Sequence, residues 1–149
     1  MPDVKITDKI LKEALVDRIL LRTDGSRVDE NFYYFAGVSK ASELSALLVL
    51  RKGKKPLVIA CDVDYGNLEG VKGIDAVKFS THEDLEYLLK SHLGGRVGIN
   101  YSYYTLAGYK RLRKFAKKIA DVSGFLEKAR EVKTGGEIRK IKNACKVTE

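Results

Sequence analysis

The sequence contains no glutamine and no tryptophan, a single methionine and four asparagines. Beside abundant lysine and glutamate, that shortage of thermolabile side chains points to a thermophilic source, and it says nothing about chemistry. Histidine is almost as scarce. His82 and His92 are the only two, and neither has Cys, His or carboxylate neighbours at the spacing of a zinc site. His82 falls among residues that start a helix and His92 borders a leucine stripe, so both read as structural. Cysteine is limited to Cys61, in an apolar strand-like run, and Cys145, in a lysine-rich helix. That usage suits two reduced thiols in a reducing compartment rather than a disulfide framework. No apolar run approaches the ~20 residues that span a bilayer. The opening MPDVKITDKI lacks the apolar stretch and small-residue cleavage site of a signal peptide. A cytoplasmic protein with no membrane partner is expected.

Chemistry-bearing motifs are missing too. There is no GxGxxG, no phosphate loop ending in Lys-Ser/Thr, and no serine in a nucleophile elbow. Asp62 and Asp64 stand two residues apart just past a strand, as in metal sites of nucleases with a ribonuclease H-like fold. Such sites need further carboxylates from other elements, so this pair reads as a polar strand end with Asp64 capping a helix. Asn100-Tyr101-Ser102 matches a glycosylation sequon, which has no use in a cytosolic chain. The aromatic run Phe32–Phe35 lacks interleaved Arg or Lys, so it reads as core with one ring at a partner surface rather than a base-stacking platform.

What is present suffices for one domain. A chain of 149 residues buries about 68–70% of its unfolded surface, enough for a proper core. The net charge of +8 is unevenly placed: up to Tyr109 there are 15 basic and 15 acidic side chains, and from Lys110 onward 13 and 5. Charge of this kind meets nucleic acid, an anionic surface or an acidic protein neighbour. By default the basic residues Lys110, Arg113, Lys114, Lys117 and Lys118 are a solvated helix face. Nucleic acid is not an expected partner.

Along the chain, Ile6, Ile10 and Ala14 fall at helical spacing, with Thr7 and Asp8 as early capping groups. Val16–Arg22 suits a buried strand, and Asp24-Gly25-Ser26 a turn. The aromatic segment Asn31–Gly37 leads into a small polar loop, Val38 to Glu43. Leu44–Leu50 and Pro56–Cys61 are strand-like, joined too tightly for a parallel crossover, so they form an antiparallel hairpin. A short helical piece lies near Tyr65–Leu68, and Ala76–Phe79 is another strand. Ser80-Thr81-His82-Glu83 reads as a capping box opening a helix with Leu85, Leu88, Leu89 and Leu93 on one stripe. Arg96–Ile99 is a strand. Ser102 would cap a helix over Tyr103–Lys118, whose Tyr109, Leu112, Phe115, Ala116 and Ile119 share one side. Ile119–Val122 is a last strand and Phe125–Glu131 a short helix. Thr134-Gly135-Gly136-Glu137 is a second capping box, and its helix is still running at Glu149, so the chain reads as stopping inside an element. The alternation predicts an α/β layer structure, with a mixed sheet covered by helices on both faces.

Several of these stretches resemble the creatinase/prolidase amino-terminal domain found ahead of the catalytic domain in Xaa-Pro dipeptidases and aminopeptidase P. Asn31-Phe32-Tyr33-Tyr34-Phe35-Ala36-Gly37 is similar to that family's asparagine, aromatic, Tyr-Leu-Thr-Gly signature, with Phe35 and Ala36 in place of Leu-Thr. Leu44–Leu50 and Leu57–Cys61 resemble its hairpin, and Asp62–Tyr65 the acidic-aromatic segment that follows. Arg96-Val97-Gly98-Ile99-Asn100 is similar to its late strand. Arg130-Glu131-Val132-Lys133-Thr134-Gly135-Gly136-Glu137-Ile138 resembles the Arg, x, x, Lys-Ser, x, x, Glu-Ile junction that starts the first helix of the "pita-bread" catalytic domain.

The resemblance implies a three-layer α/β/α fold with a mixed sheet, ribonuclease H-like. It implies a domain over residues 1–132, with 133–149 as the junction and start of a catalytic domain that should follow. The family's two divalent metal ions (Mn, Co or Zn) are held by Asp, Asp, His, Glu and Glu of that domain. No catalytic or metal-binding residue is therefore expected in this chain. The implied role is dimerisation and gating of a cleft for short proline-containing peptides, with the chain's own catalytic domain and a second copy as partners. Tyr34, Gly37, Ser39 and Lys40 are the residues expected at the cleft edge or dimer contact. The rival reading is a stand-alone scaffold or binding module without peptidase activity.

Overall fold

The computed structural model of the protein describes residues 4–38 and 44–148, and in them strands and helices alternate as the sequence predicts. Helix α1 (Val4–Glu13) precedes strand β1 (Arg18–Thr23). Thr7 and Asp8 lie inside α1 rather than at its cap. Thr7 is buried, and Asp8 Oδ1 accepts the Gly53 N–H at 2.8 Å, tying α1 to the hairpin turn. The aromatic segment becomes a short helix, α2 (Glu30–Ala36), begun by Asp29 and ended by Gly37 in the left-handed conformation at φ 67°. A left-handed C-terminal residue favours glycine, because a side chain there is strained.

Strands β2 (Ala46–Arg51) and β3 (Leu57–Cys61) form the expected antiparallel hairpin. A four-residue helix, α3 (Asp62–Tyr65), and a 3₁₀ turn over Gly66–Leu68 lead to β4 (Asp75–Phe79), which lies parallel to β3. Helix α4 (His82–His92) is capped one residue later than the sequence suggested. Thr81 Oγ1 accepts the Asp84 N–H at 3.1 Å, and Asp84 Oδ2 accepts the Thr81 N–H at 3.0 Å. Strand β5 (Arg96–Ile99) follows.

Helix α5 is shorter than its pattern predicts. It spans Leu106–Leu112 and is capped by Thr105, whose hydroxyl accepts the Gly108 N–H at 3.1 Å. Ser102 serves the preceding turn instead, its N–H donating to Asn100 Oδ1 at 3.1 Å. The helix stops because the Gly95 carbonyl accepts the N–H groups of Lys117 (2.9 Å) and Lys118 (3.2 Å). That contact feeds the chain onto the edge of β5 as strand β6 (Lys118–Asp121). Lys118 thus belongs to a strand, and the basic surface is split between helix, turn and strand. Helices α6 (Ser123–Glu131) and α7 (Gly135–Thr148) complete the chain.

The six strands run in the order β4-β3-β2-β1-β5-β6. β2 is antiparallel to both neighbours, and the other pairings are parallel. Side-chain alternation divides the core between two faces. Ile19 and Leu21 of β1 pack with Ile10, Phe32, Phe35 and Leu126 under α1, α2 and α6. Leu20, one residue out of phase, packs with Leu89 of α4, Leu93 just after it and Leu112 of α5. The result is three layers with a mixed sheet in the middle. No helix of the described residues is long and apolar enough to cross a membrane.

Candidate functional site

Open α/β sheets place ligand-binding groups beyond the carboxyl ends of their parallel strands. Here β1, β5 and β6 end beside the start of α2 and α6, and a polar cluster forms there. Asp29 caps α2: its Oδ1 accepts the Asn31 N–H at 2.9 Å and the Asn31 side-chain amide at 3.0 Å. Only 4% of Asp29 is exposed, and its Oδ2 is buried with no hydrogen-bond partner among the described residues. Burial therefore pushes its carboxyl above the usual range, against the pull of the Asn31 hydrogen bonds.

Arg130 of α6 reaches across to this helix start. It donates to Asn31 Oδ1 at 3.4 Å and pairs with Glu30. Beside it, Ser123 Oγ lies 3.0 Å from Asn100 Oδ1 and also contacts Asp121, while the Tyr101 N–H donates to Ser123 Oγ at 3.2 Å. These bonds lock the loops after β5 and β6 together and fix α2 against α6. Tyr34 joins the same arrangement, because its hydroxyl donates to the Ala129 carbonyl at 3.4 Å.

Replacing Asp29 separates its two roles. Asp29→Ala removes an N-cap and is expected to cost about 1–2 kcal/mol. Asp29→Asn keeps the accepting oxygen and deletes a buried charge, so it should stay within about 1 kcal/mol of the parent. A carboxyl whose pKa is raised on folding binds its proton more tightly in the native state. Its ionised form weighs against folding above the unfolded pKa, and that penalty fades as pH falls through the folded value. The stability of Asp29→Asn relative to the parent should therefore be greatest near neutrality and shrink toward pH 4, as urea titrations at several pH values would read.

A second concave surface lies on the opposite face of the sheet. A cavity of about 210 Å³ opens between α4 and α5 over β1, β2 and β3. Leu20, Leu47, Ile59, Leu89 and Leu112 line it, and Arg22, Thr23, Ser45 and Arg111 bring polar groups to it.

The residues singled out in the sequence are not drawn together. Asp62 pairs with Lys78 at 3.5 Å, whereas Asp64 Oδ2 accepts the Ser45 N–H at 3.2 Å and contacts Cys61 Sγ at 3.2 Å. Asp64 caps no helix; Cys61 occupies the position before α3. His82 lies 3.5 Å from Glu86, one helical turn on. His92 is held below the usual imidazole range by burial and by the nearby cations Arg51, Arg18 and Lys54. Cys61 and Cys145 are not joined in a disulfide. Among the described residues no group of three or more His, Cys, Asp or Glu side chains could hold a metal ion. Of the residues expected at a cleft edge, Tyr34 is half-buried against α6 and Gly37 ends α2. Ser39 and Lys40 lie outside the described residues.

The capping box after α6 takes the predicted form. Thr134 Oγ1 accepts the Glu137 N–H at 3.3 Å, and Glu137 Oε2 accepts the Thr134 N–H at 2.7 Å. Sequence reasoning missed Asp29 and its bond to Asn31, although the order Asp29-Glu30-Asn31 before an apolar run is a helix-start signal.

Residues 5–132 match the model of the Creatinase/Prolidase N-terminal domain family. No curated protein matches the chain. Among solved structures, the prolidase from Pyrococcus horikoshii OT3 aligns with a TM-score of 0.72 at 20% identity, covering 97% of this chain and 39% of that one. The X-Pro aminopeptidase from Thermotoga maritima MSB8 aligns with a TM-score of 0.73 at 15% identity, covering 95% and 39%. The Creatine_N superfamily domain of a dipeptidase from Streptococcus thermophilus aligns with a TM-score of 0.66 at 11% identity, covering 86% and 98%. The chain therefore spans 39% of the length of the two full enzymes and nearly all of the single domain. At these identities the likeness is one of fold.

Proposed function

The chain belongs to the creatinase/prolidase N-terminal domain family, and from that membership we propose that it is the non-catalytic amino-terminal domain of an Xaa-Pro dipeptidase- or aminopeptidase P-like metallopeptidase. The observation that carries this reading is the family match over residues 5–132, followed by a second capping box that begins a new helix. Residues 1–132 form the domain, and 133–149 open a catalytic domain that follows. Ile138 and Ile141 of α7 are exposed apolar residues one turn apart, and they suit packing against that domain.

The two divalent ions, Mn, Co or Zn, belong to the following domain. Among the described residues no donor set fits them, and Asp62 and Asp64 hold separate partners. The domain supports a cytoplasmic homodimer and walls a cleft that admits short proline-containing peptides. Tyr34 and Gly37 stand at its edge, and Ser39 and Lys40, outside the described residues, are the further expected contacts. The network of Asp29, Asn31 and Arg130 holds α2 in place, and so sets where that edge stands.

The test compares the longer protein with and without residues 1–132. With them, light scattering should report a dimer, and Xaa-Pro dipeptides should be preferred over longer proline peptides. Without them, that preference should fall at least tenfold. A dimer and a length preference both unchanged by the deletion would remove the proposed role.

A further inference from the structure

The cavity between α4 and α5 has a chemical polarity that packing alone does not require. Its depth is apolar, formed by Leu20, Ile59 and Leu112, while two guanidinium groups, Arg22 and Arg111, stand among its lining residues. No aspartate or glutamate among the described residues lines it. Among the described residues Arg22 pairs with one carboxylate, Asp24 at 3.3 Å, with both side chains partly exposed. Arg111 forms no ion pair among the described residues. A site that is hydrophobic below and cationic above complements an amphiphile with one negative charge. It repels a cationic amphiphile and gives a neutral one nothing for its guanidinium groups to bind.

Size and geometry narrow the class. An engineered apolar cavity of about 150 Å³ takes up benzene, so 210 Å³ has room for one ring and a small acid group. The planar guanidinium fork matches a carboxylate, donating two parallel hydrogen bonds to its two oxygens. The hydroxyl of Ser45, also in the lining, adds a donor for a carboxylate oxygen. We propose that this cavity binds a small apolar carboxylate, with an aryl ring or branched chain against Leu20, Ile59 and Leu112 and the carboxylate held by Arg111 and Arg22. The site lies on the sheet face away from α2, and it does not depend on the peptidase reading.

The probe is phenylacetate, titrated into the intact chain and followed by amide chemical shifts. Saturable shifts are expected in Leu20–Thr23 and in α5, with a Kd on the order of 1 mM for a ligand of this size. Benzyl alcohol, with the same ring and no charge, should bind at least tenfold more weakly, and phenethylamine should not bind. Arg111→Met should weaken phenylacetate at least tenfold while leaving the urea midpoint unchanged, because Arg111 is exposed.

Gly108→Leu provides a second, independent variant. A Cβ at Gly108 meets nothing closer than 3.4 Å, and leucine favours a helix interior over glycine. This variant should fill the cavity and abolish binding in a folded protein. No saturable shift at millimolar phenylacetate would overturn the site. Equal binding of phenylacetate and benzyl alcohol, or an unchanged affinity in Arg111→Met, would overturn the carboxylate assignment.

Discussion

Phe32→Ala is expected to lower the unfolding free energy by about 3–5 kcal/mol. Phe32 is completely buried, and its ring meets Tyr33 edge-on with centroids 5.4 Å apart. It belongs to the core shared by α1, α2, α6 and the sheet. Truncation removes both the transfer energy of the ring and the contacts of everything packed around it, because the surroundings collapse only in part. The loss falls on a helix that cannot stand alone. Seven residues are too few for an isolated helix, so α2 depends on its packing and on the Asp29 and Gly37 caps. Against a total of about 5–15 kcal/mol for a domain, the variant should be partly unfolded at modest urea. A midpoint shift equivalent to less than about 1 kcal/mol would contradict the burial of α2 described above.

Gly98→Val should be as damaging for the opposite reason. A Cβ at Gly98 would lie 2.5 Å from Val122 Cγ1 and 3.3 Å from Val16 Cγ2. Gly98 sits in β5 between Ile19 of β1 and Ala120 of β6, so the backbone on either side is held by ladder pairing. Neither neighbour can retreat freely: Val122 and Val16 are buried in the core around α1 and α6. Inserting even one methyl into a packed core costs about 1–3 kcal/mol, and valine adds two more, so about 3 kcal/mol or more is expected. Gly94→Ala is the control, because a Cβ there meets nothing within 4 Å. It should be near neutral in the same denaturation experiment, and equal losses at the two positions would contradict the packing of β5.

These two positions also show what the sequence made legible. The strands could be read because their apolar residues run almost continuously, as in β2 and β3, where both faces are covered. The capping box of α4 was misplaced by one residue for a chemical reason. Ser80 and Thr81 both offer a hydroxyl, and Glu83 and Asp84 both offer a carboxylate, so two registers satisfy one pattern. Helix α5 was drawn too long because Phe115, Ala116 and Ile119 continue its apolar spacing. Those residues do pack on the same core, but as a turn and a strand. What ended the helix was the Gly95 carbonyl, a tertiary partner that local periodicity cannot show.

The candidate sites were less legible than the fold. Arg130 and Asn31 are 99 residues apart in sequence, and Ser123 and Asn100 are 23 apart. Their pairing exists only once the sheet has brought the ends of β1, β5 and β6 together. The α4–α5 cavity draws lining residues from six elements and the loops beside them, so no single stretch carries its signal. By contrast, the Thr134–Glu137 capping box is legible because it is complete within four residues.

Hydrolysis of an Xaa-Pro dipeptide such as Ala-Pro by the purified chain tests the central proposal most directly, with Mn²⁺, Co²⁺ and Zn²⁺ supplied in turn. The same assay is run on the chain continued into a catalytic domain. The expected result is no turnover above the metal-only blank for residues 1–149, and metal-dependent turnover for the longer protein. Turnover by residues 1–149 alone, abolished by a chelator and restored by metal, would contradict a non-catalytic domain.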